Sequence, residues 1–193
     1  MWIRVDLSRD DSFWTILRNR RIEWADIREL AELFESAGIR TACGKFFDQR
    51  FINYLFANPE ALANMHWRKF EALAAEFFHR EGFKVELGPG TNDGGVDIRV
   101  WNGAAGEHGS PTMLIQCKRE REKVGKIVVK ALYADVVAER AERGMVVTAS
   151  TFSPGARAIC SARSYPIEEA NRGTIVTWLA EMRIPGNGVI MGT

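Results

Sequence analysis

Three polar side chains could together bind a divalent cation at one end of a β-sheet. Gln116 and Lys118 lie two residues apart in an apolar, strand-like segment. Earlier in the chain, Asp97 comes directly after a Gly-Gly-Val turn. On a strand, residues two apart point to the same face, so Gln116 and Lys118 share one face while Cys117 points to the other. If the two segments form neighbouring strands, a carboxylate, an amide oxygen and an ammonium converge. Such a set can hold a hard cation through oxygen ligands, with the ammonium beside water or phosphate.

The same residues also have ordinary structural explanations. A lone lysine on a strand is most often solvated, and Glu71, one residue after the apolar Phe70, would by itself be a solvated helix carboxylate. Asp97 on the preceding strand favours a site over these explanations. Glu71 could lean toward the same place from its helix.

The elements that must position these residues follow the order α-β-β-β-α-β-α. The periodicity predicts helices over 67–80 and 124–143, strands over 83–87, 96–101, 112–118 and 145–149, and a helix with Ser153 as N-cap and Pro154 in its first turn. Before them, apolar spacing predicts helices over 27–38 and 46–56. The expected inward residues of the two long helices are Trp67, Phe70, Ala74, Phe77 and Phe78, and Val124, Ile127, Val128, Leu132, Val136 and Val137. The apolar strand 145–149 is typical of a buried parallel position, so we expect a mixed sheet with helices packed on it.

Three motifs resemble a known nuclease family: Phe70-Glu71, Gly94-Gly95-Val96-Asp97 and Gln116-Cys117-Lys118-Arg119. Together they are similar to the catalytic domain of Mrr-like restriction endonucleases, members of the PD-(D/E)xK superfamily in which glutamine stands where most relatives carry an acid. The resemblance runs over about 58–183. It implies an α/β, restriction-endonuclease-like αβββαβ core with a mixed central sheet, an edge strand over 167–170 and a closing helix over 174–183. We accordingly divide the chain into a helical N-terminal segment, 1–60, and an Mrr-like catalytic domain, 61–193.

This resemblance implies a metal-dependent endonuclease that hydrolyses DNA phosphodiester bonds in restriction of foreign or modified DNA. Asp97 would be the central ligand of Mg²⁺, with Mn²⁺ as the alternative, and Glu71 would complete the metal shell. Gln116 would supply a neutral oxygen or hold a metal-bound water. Lys118 would orient the attacking water and stabilise charge in the transition state. Asp93 is interpreted as a turn residue rather than a ligand.

Phosphate contacts must come from a local patch, because the net charge of the whole chain is only +1. The segment 118–130 carries six basic residues against two acidic ones. Its predicted DNA contacts are Arg119, Arg121, Lys123, Lys126 and Lys130. The hydroxyls of Ser150 and Thr151, near a helix N-terminus, are a second candidate phosphate site. A solvated charged loop is the alternative interpretation.

Composition narrows the class of protein. The chain has 193 residues, 46% of them hydrophobic and 26% charged, which is the balance of a globular protein with a real core. Cys43, Cys117 and Cys160 are odd in number and far apart, which favours a reducing compartment over a disulfide framework. With no apolar run of membrane-spanning length and no signal-like start, we expect a cytoplasmic protein.

Two other function classes stay open at this point. The chain could be a catalytically weak nucleic-acid-binding subunit that retains the nuclease fold, or a partner-docking module that uses its N-terminal helices. The complete set of Asp97, Gln116 and Lys118 favours the enzyme. Its expected partner is DNA, with a homodimer or an accessory specificity subunit as further candidates and no membrane.

Overall fold

The computed structural model describes residues 45–47, 49–89, 95–102 and 109–183. The predicted helix over 27–38, Cys43 and Asp93 lie outside these ranges. The helices are α1 (Gln49–Ala57), a 3-10 helix (Pro59–Asn64), α2 (Trp67–Arg80), α3 (Lys126–Ala138), α4 (Pro154–Arg163) and α5 (Arg172–Met182). The strands are β1 (Lys84–Leu87), β2 (Ile98–Trp101), β3 (Met113–Lys118), β4 (Arg143–Thr148) and β5 (Ile167–Ala170). The predicted order of elements is confirmed.

The strands form one mixed sheet, as predicted. In the described part of the chain it has five strands in the order β1-β2-β3-β4-β5. The pairs β1–β2 and β2–β3 are antiparallel, whereas β3–β4 and β4–β5 are parallel. The register places Ile98 opposite Ile115, so Asp97 lies beside the C-terminal half of β3. The second and third strands are therefore neighbours, as the candidate site requires.

Strand β3 is buried on both faces because helices cover both sides of the sheet. Met113 and Ile115 belong to a first core cluster that includes residues of α1, α2 and α5. Leu114 belongs to a second cluster with residues of α3 and α4. This alternation assigns Cys117 to the first face, where it packs against the first cluster. Because residues two apart on a strand point to the same side, Gln116 and Lys118 lie on the face of Leu114.

Three residues that were predicted to face inward are exposed. Trp67 is 39% exposed, because α2 begins at this residue and the core side of the helix starts one turn later, at Phe70. On α3, Ile127 is 78% and Val137 is 59% exposed, whereas Val129 is fully buried. Nearly every side of α3 carries apolar residues, so spacing alone could not select the side that meets the sheet.

The bounds of α3 also differ from the prediction. The helix begins at Lys126 and ends at Ala138, inside the predicted range of 124–143. Val124 is buried, but it forms a parallel bridge with Phe152 instead of a helical turn. At the other end, β4 already begins at Arg143. At both ends of the predicted helix, residues pair with other strands instead of continuing the helix.

The end of the chain follows the prediction closely. The Ser153 hydroxyl accepts a hydrogen bond from the Ala156 N–H at 3.2 Å, and Pro154 opens α4, as the N-cap pattern indicates. In α5, Ile175, Leu179 and Met182 are buried as predicted, together with Trp178. Within the described ranges, no helix is both long enough and apolar enough to cross a membrane.

A buried carboxylate joins α1, α2 and α5. Glu76 is 1% exposed, and its oxygens accept hydrogen bonds from the Phe46 N–H and from Nε of Arg80, each at 2.7 Å. Arg80 Nη1 also donates to Gln49 Oε1 at 2.7 Å and to the Met182 carbonyl at 2.9 Å. Buried charges are tolerated when they are paired and hydrogen-bonded in this way. The helix α1, which the sequence division places in the N-terminal segment, thus shares the core of the following domain.

The packing around β4 predicts that Gly144→Ala destabilises the protein. A Cβ at Gly144 would lie 2.6 Å from Ile167 Cδ1, 3.0 Å from Val136 Cγ2 and 3.1 Å from Leu132 Cδ2. Overpacking of this kind costs about 1–3 kcal/mol, and each kcal/mol lowers the Tm of a domain of this size by about 2–4 °C. Thermal unfolding followed by circular dichroism measures the change.

Gly155→Ala is the matched control for this substitution. Its Cβ would meet nothing closer than the Ser153 Oγ at 4.0 Å, and alanine favours a helix more than glycine does. We expect its Tm to be unchanged or slightly higher. Equal Tm values for the Gly144 and Gly155 variants would contradict the packing described here.

Candidate active site

The carboxylate of Asp97 is fixed against the backbone of β3. Its Oδ2 accepts a hydrogen bond from the Cys117 N–H at 2.6 Å. The Asp97 backbone N–H donates to the Ile115 carbonyl at 3.0 Å, and its carbonyl accepts from the Gly88 N–H at 2.8 Å. Asp97 lies one residue before β2, although the predicted strand included it. These bonds hold the carboxylate at the peptide group that joins Gln116 to Cys117.

The side chain of Gln116 has an unsatisfied oxygen. Its Oε1 is buried and has no hydrogen-bond partner among the described residues. The amide nitrogen lies toward the turn before Asp97, since a Cβ on Gly95 would be 3.5 Å from Nε2. A buried acceptor left unpaired costs about 1–3 kcal/mol, so such groups are rare and call for an explanation. A cation or an ordered water at Oε1 would supply one.

Glu71 lies inside the protein and not on its surface. It is 5% exposed, so the alternative of a solvated helix carboxylate is wrong. Its Oε2 accepts a hydrogen bond from Arg68 Nη1 at 2.9 Å, one turn earlier on α2. A carboxylate buried to this degree needs such a charged partner.

The pKa of the Cys117 thiol is shifted by burial and by three charged groups. Burial raises its pKa well above the ordinary value of a thiol, and the negative charges of Asp97 and Glu71 raise it further, while Lys118 lowers it. Asp97, Glu71 and Lys118 therefore all act on one sulfur at the end of β3. The convergence of Glu71 with Gln116 and Lys118 stays a prediction, because α2 covers the Cys117 face of β3 and these two residues lie on the other face.

The oxygen donors fit a hard divalent cation, although they do not form a complete cage. In the described ranges, no three His, Cys, Asp or Glu side chains cluster in a way that could hold a metal ion. Asp97 and Glu71 would supply carboxylates, and Gln116 would supply the unpaired amide oxygen. Mg²⁺ is commonly held by one or two carboxylates, with water filling its other positions. This donor set, with its orphaned oxygen, suits such an ion.

The basic segment after β3 is tied to the protein on two sides. Arg119 Nη1 donates to the Ala63 carbonyl at 3.4 Å, and Arg121 Nη2 donates to Asn64 Oδ1 at 2.9 Å. On its other side, the Ser150 hydroxyl donates to the Arg121 carbonyl at 3.0 Å. The sequence analysis predicted neither this 3-10 helix nor its contacts with the arginines. No local signal links Asn64 to Arg121, which lies 57 residues further along the chain.

The other predicted DNA contacts lie at the surface near this segment. Lys123, Lys126 and Lys130 are exposed. Thr151 is half-buried, and its carbonyl accepts from the Val124 N–H at 2.9 Å. The two predicted phosphate sites are thus adjacent, because the loop after β4 pairs with the segment before α3.

Comparison with known proteins identifies the family. The family model of the Mrr catalytic domain, described as a restriction endonuclease, matches residues 62–179, which is more than half of the chain. The chain belongs to the Mrr restriction endonuclease family. The matched range contains Glu71, Asp97, Gln116 and Lys118.

Two curated relatives each match about half of this Mrr-family chain. The uncharacterized protein y4cE of Sinorhizobium fredii is 32% identical over 99 residues, which are 51% of this chain and 25% of that protein. The type IV methyl-directed restriction enzyme EcoKMrr of Escherichia coli K12 is 28% identical over 103 residues, 51% of this chain and 33% of the enzyme. The match thus spans a quarter to a third of the length of these relatives.

Two solved restriction endonucleases align with the Mrr-family domain. MspJI, solved in complex with a 27-mer oligonucleotide, covers 72% of this chain and 33% of its own, with a TM-score of 0.47 and 22% identity. The DNA modification-dependent enzyme AspBHI covers 67% of this chain and 33% of its own, with a TM-score of 0.45 and 18% identity.

The position of Cys117 predicts a structural role that separates it from its neighbours. We expect Cys117→Ala to lower the free energy of unfolding by about 1 kcal/mol, through lost packing, and to leave DNA cleavage largely unchanged. Because the folded state raises the thiol pKa, this group stabilises the fold below its ordinary pKa, and the contribution is lost as the pH rises through the folded value. The wild type should therefore lose more stability than Cys117→Ala above about pH 9.

Urea unfolding between pH 7 and 10.5, with plasmid nicking in parallel, measures both effects. Cys160→Ala is the control for the cleavage assay, since Cys160 is a half-buried thiol on α4, outside the site. If Cys117→Ala loses cleavage but keeps its stability, then Cys117 faces the site and not the core. The face assignments in β3 would then be wrong by one residue.

Proposed function

We propose that this domain is a divalent-metal-dependent endonuclease that hydrolyses phosphodiester bonds in DNA, in the restriction of foreign or modified DNA. Membership of a restriction endonuclease family supports the class of reaction. The observation that carries the proposal is the unpaired, buried Oε1 of Gln116, next to the strand position where Asp97 is anchored. A polar atom left unpaired in this place suits an ion-binding site better than a structural one.

Asp97, Gln116 and Glu71 would hold the metal ion, Mg²⁺ or Mn²⁺. Bound there, the ion would polarise the scissile phosphate and help to generate a nucleophilic water. Asp97 is preorganised for this role, because the Cys117 N–H fixes one of its oxygens at 2.6 Å. Glu71 is held in place by Arg68, which also offsets part of its charge.

Lys118 would act on the attacking water and on the charge that develops at phosphorus. It ends β3, and its ammonium is a compact charge on a flexible stem in a half-buried position. In this environment a fixed positive charge stabilises the transition state more than it could in bulk water. Because Gln116 replaces an acid, Asp97 and Glu71 are the carboxylates left to bind the metal.

The basic segment would hold the DNA backbone. Arg119 and Arg121, with the exposed lysines of 123–130, would contact phosphates close to Lys118, and Ser150 and Thr151 would contribute from the adjacent loop. By analogy with the methyl-directed enzyme EcoKMrr, we propose modified DNA as the target. A second copy of the chain or an accessory subunit would supply specificity or the second-strand cut. The free thiols Cys117 and Cys160 support the cytoplasm as the compartment.

Asp97→Asn is expected to abolish plasmid cleavage and leave the fold intact. The substitution removes the charge of the central ligand, and the amide oxygen can still accept from the Cys117 N–H. We expect a loss of about 10²-fold or more in rate, comparable with the effect of EDTA on the wild type. Supercoiled plasmid with Mg²⁺ or Mn²⁺ and thermal unfolding give the two measurements.

The control for Asp97→Asn is Glu168→Gln, which neutralises an exposed carboxylate on the edge strand β5. It should cleave like the wild type. Cleavage by Asp97→Asn at a near-normal rate would show that the site is assigned wrongly. If the wild type binds DNA but does not cut it with either metal, the result would favour the alternative of a nucleic-acid-binding subunit that retains the nuclease fold.

Gln116→Glu is expected to maintain or raise activity. A carboxylate at this position adds charge to the donor set, so the concentration of Mg²⁺ needed for half-maximal cleavage should fall. Nicking rates measured across a Mg²⁺ titration, from micromolar to tens of millimolar, test this. A strong loss at saturating Mg²⁺ would mean that the Gln116 amide donates an essential hydrogen bond, and its role as a metal ligand would be wrong.

A further inference from the structure

Two exposed aromatic rings lie side by side where α2 begins. Trp67 is 39% exposed and His66 is exposed, and their ring centroids are 5.4 Å apart, with an interplanar angle of 33°. We call this pair the aromatic ledge. The helix buries Phe70 one turn later, so the ledge projects from a well-packed element.

The His66 ring of the ledge is fixed by a hydrogen bond to the helix backbone. His66 is the N-cap of α2, and its Nδ1 accepts a hydrogen bond from the Arg68 N–H at 3.2 Å. With Nδ1 as the acceptor, the neutral ring carries its proton on Nε2, where it can donate to a ligand. Arg68 in turn pairs with the buried Glu71 at 2.9 Å. The ledge is thus connected by one side-chain contact to a proposed metal ligand.

Basic side chains connect the ledge with the end of β3. Arg119, the residue after Lys118, donates to the Ala63 carbonyl, and the exposed Arg121 is held by Asn64, just before His66. Aromatic faces beside guanidinium groups are the combination that binds single-stranded nucleic acid, with bases on the rings and phosphates on the arginines. A paired base inside a duplex has both faces covered by its neighbours, so only an unpaired base can stack here.

We propose that the aromatic ledge stacks an unpaired base of the DNA substrate, while Arg119 and Arg121 contact phosphates of the same strand. The inference rests on the proposed nuclease function and makes it more specific. The preferred substrate is DNA with unpaired nucleotides close to the scissile phosphate, at a gap, an end or an extruded base. A protein partner covering Trp67 is the alternative that the test excludes or reveals.

Binding of two matched DNA probes tests this proposal. The full chain carrying Asp97→Asn is titrated onto a fluorescein-labelled duplex, either fully paired or with a short single-stranded gap, and the Kd is measured by anisotropy. Adding Trp67→Ala should weaken binding of the gapped probe by about 5- to 150-fold and leave the paired probe nearly unchanged. Trp67→Phe should restore most of the affinity, since it keeps an aromatic face.

Trp101→Phe is the control, because Trp101 lies at the opposite end of β2 from Asp97 and should not alter either Kd. As a second readout, gapped DNA should quench tryptophan emission less in Trp67→Phe than in its parent. An unchanged Kd for the gapped probe in Trp67→Ala, or equal losses on both probes, would overturn the inference whatever the plasmid assay shows. Absence of plasmid cleavage with a persisting Trp67 effect would overturn the nuclease proposal alone.

Discussion

The hydrogen bond from the Cys117 N–H to the Asp97 carboxylate is the contact on which the candidate site depends. The ladder between β2 and β3 is paired as far as Ile98 and Ile115, and beyond it the Cys117 N–H still needs an acceptor. Asp97 supplies one at 2.6 Å. Because the bond is made to the backbone and not to a side chain, it places the carboxylate between Gln116 and Lys118 without depending on either. The chain thereby fixes the Asp97 carboxylate at the backbone of β3 before any ligand arrives.

Burial on both faces of β3 sets the chemical character of this place. Helix α2 covers one face and brings Glu71 into the interior, where Arg68 pairs with it, and α3 and α4 cover the other. The Cys117 thiol packs against the first of these faces, and its burial raises the pKa of the thiol. In the described part of the chain, two buried side-chain atoms have no hydrogen-bond partner, Gln116 Oε1 at this site and Arg143 Nε at the start of β4. Departures from local rules of this kind are expected at functional sites.

The surroundings of the site are connected to it by contacts between distant parts of the chain. The network around Glu76 ties the C-terminal half of α2 to α1 and α5, while the His66 cap closes its first turn. The same region receives Arg119 and Arg121 from the segment after β3. One helix thus carries a buried carboxylate on its inner side and an exposed aromatic pair at its start. Helix α2 therefore positions both Glu71 and the aromatic ledge.

The sequence by itself determined the order of elements, the neighbouring positions of Gln116 and Lys118 on one strand, and the Ser153 cap, because alternation and capping act over a few residues. It also indicated Asp97 and Glu71, through motifs that resemble a family. Tertiary structure alone decided that Glu71 is buried, that Trp67 is exposed, and that Val129 and not Ile127 faces the sheet. It also decided where Arg121 docks. A helix with apolar residues on most sides has no preferred inner face of its own, and a contact across 57 residues leaves no periodic trace. Those outcomes follow from which elements pack together, and only the folded chain brings those elements into contact.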